Sequence, residues 1–379
     1  MSLAAALELR ARCDYAGALA ALADADEPAA FAARSRLYEE FGRYEQAWAD
    51  AERSGDSARL AGVAVADRRY PKALELTAGL VCAERGRALE ALARLDEADA
   101  VYRSLPDDDV EARLGRGGVL RARGLYAAAE AELFEALRLA EQQHGAWSIE
   151  TASALNAVGM TYKYRGRFAD GRRVYERALA IVERAFGERH EDVASLHHNL
   201  GGLEHARREF AAAEPHARRS VELRRTLRGP EHVTTAEDEA AWAPILKALG
   251  RLDEAEALLR HALPILEREL GPDHPEVAGA WNNLGGTLAD LDEATAAYEC
   301  ALAAKERTLG PAHPALAITL NNLGVNARRR GRAEEAEAYY RRALEILEGR
   351  VEGDHPNLEL ARRNLDRLLA GKTAGRAPV

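Results

Sequence analysis

Asn156, His198, Asn282 and Asn321 fall in one column of a repeating pattern, each three residues before a glycine, with Leu114 and Ala240 in the same column. Arg121, Lys163, His205, Lys247 and Arg328 form a second column, four residues after that landmark, where Ala289 is the exception. An asparagine side chain carries a donor and an acceptor together, so it can pair with the N–H and C=O of a peptide of any sequence. A row of cations can select an acidic ligand and speed its encounter. The columns lie seven residues apart, nearly two turns at about 3.6 residues per turn, so within a helix they share a face. The chemistry these residues offer is recognition.

Other patterns invite chemistry and do not support it. His190, His232, His274, His313 and His355 form a ladder with one imidazole per repeat. A metal needs its ligands to converge within a few ångströms, and these are a repeat apart, so they read as loop-packing or helix-start residues. His198 and His205 are separated by about 10 Å along one helix face, at roughly 1.5 Å per residue, too far to share an ion. There is no His-Glu-x-x-His, no phosphate-cradling loop with Lys-Ser/Thr and no Gly-x-Ser-x-Gly. The glycines of Gly115-Arg-Gly-Gly118 follow no strand, and the acidic pairs at Glu334-Glu335 and Asp107–Asp109 read as surface charge. Cys13, Cys82 and Cys300 match neither a disulfide framework nor a metal spacing. The expectation is a chain with no catalytic residues, no metal and no cofactor.

What positions the two columns is a register. Gly117, Gly159, Gly201, Ala243 and Gly285 recur every 42 residues, and Gly324 follows after 39. A period of this size implies a solenoid whose units bury their apolar faces against one another. Within one unit, Pro275 suits a helix first turn, and Val277, Trp281, Leu284 and Leu288 mark one face. A second helix follows from about Asp292 and ends at Leu309-Gly310-Pro311, a left-handed cap and a stop. Small residues recur in the second helices (Ala129, Gly171, Ala213, Ala255, Ala294, Ala336) and let helices approach to about 8–10 Å. The turn inside each pair reads Gly124-Leu-Tyr, Gly166-Arg-Phe, Gly250-Arg-Leu and Gly331-Arg-Ala. Ala289–Asp292 is three residues shorter, which predicts a tighter turn and a local change of pitch.

The expected organisation is irregular helix pairs over 1–106, six 42-type repeats over 107–356, a capping helix over 357–371 ended by Gly371, and a disordered tail over 372–379. Gly42-Arg-Tyr, Arg69-Tyr70 and Arg94-Leu95 mark turns of the shorter pairs. Pro215, Pro244 and Pro264 fall inside predicted helices. The formal charge of −10 disfavours a broad nucleic-acid or anionic-membrane surface. The longest charge-free stretch, Thr308–Ala327, contains two prolines and three asparagines and is no membrane span. The opening residues have no basic segment ahead of a long apolar run and do not read as a secretory signal, so a reducing cytoplasm is the expected location.

The small-residue columns, with Tyr175, Tyr298 and Tyr340 between them, resemble the tetratricopeptide repeat. Leu-Gly-Pro-Asp-His-Pro-Glu-Val-Ala (270–278) followed by Asn-Asn-Leu-Gly (282–285) is similar to the 42-residue repeats of kinesin light chain, and Leu309–Ala317 with Asn321–Gly324 is a second match. No heptad region for joining a motor heavy chain is visible. The resemblance, over roughly residues 107–370, implies an all-α, right-handed superhelical solenoid of antiparallel helix pairs. It also implies a concave groove, lined by first helices, for extended peptides. It places Asn156, His198, Asn282 and Asn321 on that groove, while Asn199, Asn283 and Asn322 are assigned to packing between repeats. First helices about 10 Å apart and a strand rising about 3.3 Å per residue allow one column residue per three ligand residues. The implied function is a non-enzymatic scaffold or adaptor binding an extended acidic protein segment, with neither nucleic acid nor membrane as partner. The alternative is a sensor array that binds a peptide or small ligand and controls a separately encoded protease, ATPase or transcription factor. Against the groove assignment stand two plainer roles: asparagines that satisfy their own loops and cations on a solvated face.

Overall fold

The computed structural model describes residues 3–12, 14–348 and 356–374. Cys13, His355 and residues 375–379 lie outside the described residues. The chain divides into two compact units, 1–208 and 209–379. Among the described residues there are helices and no strands, so the fold is an all-α repeat array.

Unit 1 contains six antiparallel pairs: α1 (Leu3–Ala11) with α2 (Tyr15–Ala21), α3 (Pro28–Glu40) with α4 (Tyr44–Ser54), α5 (Ser57–Ala66) with α6 (Tyr70–Leu76), α7 (Ala83–Ala91) with α8 (Leu95–Arg103), α9 (Val110–Ala122) with α10 (Tyr126–His144), and α11 (Ile149–Tyr164) with α12 (Phe168–Phe186). The unit ends with α13 (Glu191–Ala206). Unit 2 begins with α14 (Phe210–Leu227). It continues with α15 (Val233–Ala248) on α16 (Leu252–Leu270), α17 (Pro275–Gly285) on α18 (Leu291–Leu309), and α19 (Ala317–Arg329) on α20 (Ala333–Leu347). The helix α21 (Pro356–Ala374) packs on α19 and α20. Pro215, Pro244 and Pro264 are interior to α14, α15 and α16.

Five of the pairs are keyed by a ring or branched side chain of the second helix seated on a glycine of the first. The space a Cβ would need at Gly159 is filled by Tyr175, at Gly285 by Tyr298, at Gly324 by Tyr340 and at Gly117 by Leu133. Tyr102 occupies the corresponding space at both Gly86 and Gly115, joining α8 to the first helices on either side of it. Tyr102, Tyr175 and Tyr340 are fully buried. Around these contacts the small columns close: Ala129, Ala136, Ala178, Ala213, Ala255, Ala262, Ala301, Ala336 and Ala343 show no exposure.

Helix starts are capped by side chains. Nδ1 of His190, His232, His274 and His313 each accepts the backbone N–H two residues further on, at 3.2 Å. The histidine ladder is thus a ladder of N-caps, each worth about 0.5–2 kcal/mol if it matches other side-chain caps. The turn inside a pair requires a left-handed residue. Gly42, Gly124, Gly166, Gly250 and Gly331 supply it, but Arg68, Ala93 and Arg208 hold the same place with φ of 60°, 58° and 65°.

The 39-residue interval is resolved differently from the sequence expectation. The turn is not tighter; the helix is shorter. α17 has 11 residues where α15 has 16, and it stops at Gly285-Gly286. Asp290 then caps α18 by accepting the N–H groups of Asp292 and Glu293 at 2.8 and 2.9 Å. The carboxylate cap replaces the left-handed turn residue, so the three missing residues come out of the helix end. At the carboxyl end, α21 runs through Gly371 to Ala374. Gly371 is therefore not its terminus, and the first three residues of the expected tail are helical, because nothing at Gly371 forces the chain out of helical geometry.

Unit 1 carries a contact between distant parts of its chain. Phe186 packs against Tyr15 and Phe41, with ring centroids 5.0 and 5.3 Å apart, and stacks on His190 at 4.2 Å. Arg10 donates to Glu40 at 2.6 Å and to Glu150 at 2.8 Å. The Tyr15 hydroxyl accepts the N–H of Ile149 at 3.3 Å, and His190 Nε2 meets the Glu40 carbonyl. The amino-terminal pairs therefore fasten to the start of α11 and of α13.

Two substitutions test this account with opposite signs. Gly159→Ala raises helix propensity by up to about 1 kcal/mol, yet it drives a methyl into the Tyr175 ring, and overpacking costs about 1–3 kcal/mol. Denaturant unfolding is expected to show net destabilisation. Ala93→Gly relieves a left-handed alanine costing about 1–2 kcal/mol and returns about 0.5–1 kcal/mol as chain entropy. A small gain in the unfolding midpoint is expected; a loss would show that φ at Ala93 carries no strain.

Candidate functional site

The basic column occupies the last turns of first helices. Arg121 ends α9, Lys163 ends α11 and His205 ends α13 in unit 1. Lys247 ends α15 and Arg328 ends α19 in unit 2. A cation at a helix C-terminus is favoured by the helix dipole, by about 0.3–1 kcal/mol. That suffices to explain a positive residue at each position. It does not explain what these residues lack.

Arg121, Lys163 and Lys247 make no ion pair or side-chain hydrogen bond among the described residues. Elsewhere in the same repeats many arginines are paired with carboxylates. Arg123 donates to Asp96 at 2.6 Å and to Asp99 at 3.4 Å. Arg165 and Arg167 share Glu130, and Arg172 and Arg207 share Glu204 at 2.6 and 3.0 Å. Many carboxylates are thus engaged by arginines, while these three cations of the column have none.

Lys163 Nζ lies over Gly202 of the next first helix, 3.0 Å from where a Cβ would stand, and Lys247 Nζ likewise crowds the space beside Gly286. The glycine one residue after the repeat landmark thus makes room for the preceding repeat's lysine. Burial holds both ammonium groups below the usual lysine range, with no nearby charge acting on either. His205 is held low first by burial and then by the charge of Lys163. The Lys163 charge therefore acts on His205 across neighbouring first helices. In unit 2 the Arg328 guanidinium bonds the Tyr340 hydroxyl, and Ala289 leaves the intervening position without charge.

The asparagine column has a use the sequence did not disclose. Asn156 Oδ1 accepts from Asn199 Nδ2 at 2.8 Å. In unit 2, Asn282 Oδ1 accepts from Asn322 Nδ2 at 3.1 Å and from Thr319 Oγ1 at 3.3 Å. Asn321 Oδ1 accepts from Asn364 Nδ2 of α21 at 2.8 Å. Each carbonyl is spent on the next helix of the stack, forming an amide ladder. Asn321 is only 5% exposed, so it is a packing residue and not part of an open recognition face. Asn156, His198 and Asn282 remain half-buried, and the Nδ2 groups of Asn156 and Asn282 have no protein acceptor.

Some charged positions escaped the column reading altogether. Glu204 and Glu239 are completely buried. Glu204 joins Arg172 to Arg207, and Glu239 joins Arg225 (2.7 Å) to His261 (2.6 Å). Arg10, Arg36, Arg59 and Arg87 converge inside unit 1 around a cavity of about 390 Å3. Their spacing of 26, 23 and 28 residues follows the irregular amino-terminal pairs, a faint signal beside the 42-residue register. No group of His, Cys, Asp and Glu among the described residues could hold a metal ion, and no described helix is long and apolar enough to cross a membrane. Cys82 is half-buried and Cys300 exposed, both as free thiols.

The Lys163–His205 coupling can be measured. In Lys163→Met, one of the two causes holding the His205 imidazolium unfavourable is gone. Its pKa should rise yet stay below the ordinary histidine value, because burial persists. Histidine ring resonances followed by NMR through the acid range report this directly. An unmoved His205 titration would mean that the two side chains do not face one another.

A tetratricopeptide-repeat family profile matches residues 150–226, 239–291 and 287–349. No curated protein matches the sequence significantly. Among solved structures, the apo form of RapI is similar over 75% of this chain and 97% of its own, with 14% identity and a TM-score of 0.53. BtubC (BKLC) from P. vanneervenii is 23% identical over 62% of this chain and 94% of its own, with a TM-score of 0.49. A kinesin-light-chain protein of Podosopora anserina with nearly identical TPR-like repeats is 19% identical over 51% of this chain and 93% of its own, at 0.44. The glycine-seated rings, the paired helices and the matched segments agree: the chain belongs to the tetratricopeptide-repeat family.

Proposed function

We propose that this chain is a non-enzymatic protein-interaction module whose first-helix face takes an extended, acidic peptide segment. The observation that carries the reading is the row of cations without carboxylate partners. Arg121 and Lys163 supply it in unit 1 and Lys247 in unit 2, while His205 and Arg328 continue the column. A helix-dipole role alone would not leave Arg121, Lys163 and Lys247 unpaired in a chain of net charge −10. The half-buried Lys163 ammonium beside Gly202 is already partly stripped of water, so a carboxylate arriving there meets less competition from solvent. The free Nδ2 donor of Asn156 lies two turns from Lys163 on α11, that of Asn282 lies on α17, which carries no column cation, and both suit a peptide carbonyl. Asn321 is excluded from this set, and Ala289 leaves a neutral step between the cations of unit 2.

Each exposed ion pair contributes only about 0–1 kcal/mol. Arg121 and Lys163, the two members charged at neutral pH in unit 1, give up to about 2 kcal/mol, enough to choose between peptides and too little to bind one alone. Backbone hydrogen bonds and apolar contacts must supply the remainder. Affinity should fall with salt, since the screening length shortens from about 10 Å at 0.1 M to about 3 Å at 1 M.

The test is a panel of extended peptides sharing one apolar pattern and carrying acidic, neutral or basic residues between, read by fluorescence anisotropy. Acidic members are expected to bind about tenfold more tightly, a difference of about 1.4 kcal/mol. Lys163→Glu should erase most of that preference while leaving neutral peptides little affected. Equal binding of acidic and basic members to the unaltered protein would refute the proposal.

A further inference from the structure

Inside unit 1, well apart from the basic column, two cavities share a wall. One, of about 290 Å3, is lined chiefly by Ala6, Leu7, Leu22, Ala33 and Leu37. The other, of about 390 Å3, is lined mostly by charged groups from α3, α5, α7, α9 and α11. Arg10, Arg36, Arg59 and Glu84 border both. An apolar lobe and a charged lobe thus meet at a set of guanidinium groups.

Most of these charges already have partners. Arg10 is held by Glu40 and Glu150 at 2.6 and 2.8 Å. Arg87 lies 3.3 Å from Glu111 and 3.6 Å from Glu84. Arg59 pairs with Glu39. Arg36 has no ion pair or hydrogen bond among the described residues. Behind it Arg59 is 9% exposed, and its Nε has no hydrogen-bond partner. Burial together with the charges of Arg36 and Arg87 pushes Arg59 down to about 10. Among the residues that border both lobes, three are arginines and one, Glu84, is a carboxylate.

We propose that this junction is a binding site for a small carboxylic acid with an apolar tail, the carboxylate on Arg36 against Arg59 and the tail in the alanine- and leucine-lined lobe. A planar guanidinium matches a carboxylate with two parallel hydrogen bonds. The apolar lobe is near the lower end of ligand pockets, about 300–1,000 Å3, which fits a medium-length tail and not a folded partner. A single negative charge suits the site better than a phosphate. Six carboxylates line the charged lobe against four arginines, so a dianion would meet net repulsion there. The site is separate from the first-helix cation column, and it stands or falls independently of the peptide proposal.

The experiment is calorimetric titration of the full chain with decanoate, and with decanol, decylammonium and acetate as comparisons. Decanoate is expected to bind at least tenfold more tightly than the other three, because only it satisfies both lobes. Arg36→Gln should weaken decanoate at least tenfold. Arg36 is exposed at the cavity and holds no partner, so the fold should survive, and circular dichroism verifies this. Arg36→Lys should recover part of the loss, since an ammonium keeps the charge without the paired hydrogen bonds. Decanol binding as tightly as decanoate, or unchanged decanoate affinity in Arg36→Gln, would overturn the proposal.

Discussion

Much of the array depends on one contact that recurs along it: a large side chain of the second helix seated where the first helix has a glycine. Tyr175 on Gly159, Tyr298 on Gly285 and Tyr340 on Gly324 set both the distance and the rotation of their pairs. A ring cannot slide along a helix without leaving the one position lacking a Cβ, so the contact fixes register as well as separation. Everything useful follows from that fixing. With the rotation set, the residues three before and four after the glycine must lie on a common face. The alanine columns then close around the ring at little cost in side-chain entropy. Tyr102, wedged at both Gly86 and Gly115, carries the same device into the shorter pairs.

Much of this was legible because glycine, alanine and histidine each do one thing here. The 42-residue count located the rings, the small columns and the cap histidines before any coordinates. The amino-terminal pairs were harder for a physical reason. Their turns use Arg68 and Ala93 in left-handed geometry, so the glycine punctuation that marks the later turns is missing. The 39-residue interval showed that something had been removed, but not from where. A carboxylate cap at Asp290 let the helix yield and not the turn. The asparagines misled because an amide can serve a ligand or a neighbour equally well. Only the positions of Asn199, Asn322 and Asn364 reveal that the carbonyls are taken. Pattern identified the face, and partner counting decided which residues on it are available.

That distinction runs through the electrostatics. The chain is rich in arginine and in carboxylates, and most charges are absorbed within and between adjacent helices. Glu130, Glu204 and Glu239 each serve two cationic groups. Against that background an unpaired cation is the informative case. It occurs along the first-helix column and again at Arg36, in surroundings that differ: an open face with amide donors in one, an apolar lobe in the other. The same lack of a partner thus points to an extended acidic chain in the first place and to a small acid in the second.

The fastening of the amino-terminal pairs onto α11–α13 has a consequence for how the chain comes into being. Tyr15, Phe41 and Arg10 find Phe186, His190 and Glu150 across 134 to 171 residues of sequence. A ribosome adds about 5–20 residues per second, so these first-made helices wait on the order of ten seconds or more for the surfaces that complete them. During that time Ala6, Tyr15 and Leu22 pack with Ala18, Ala30 and Leu37 but lack Phe186 and Ile149. His190 ends the wait, for it both starts α13 and touches the Glu40 carbonyl. One imidazole thus couples the birth of a late helix to the settlement of the earliest ones, and unit 1 becomes whole from its carboxyl side backward.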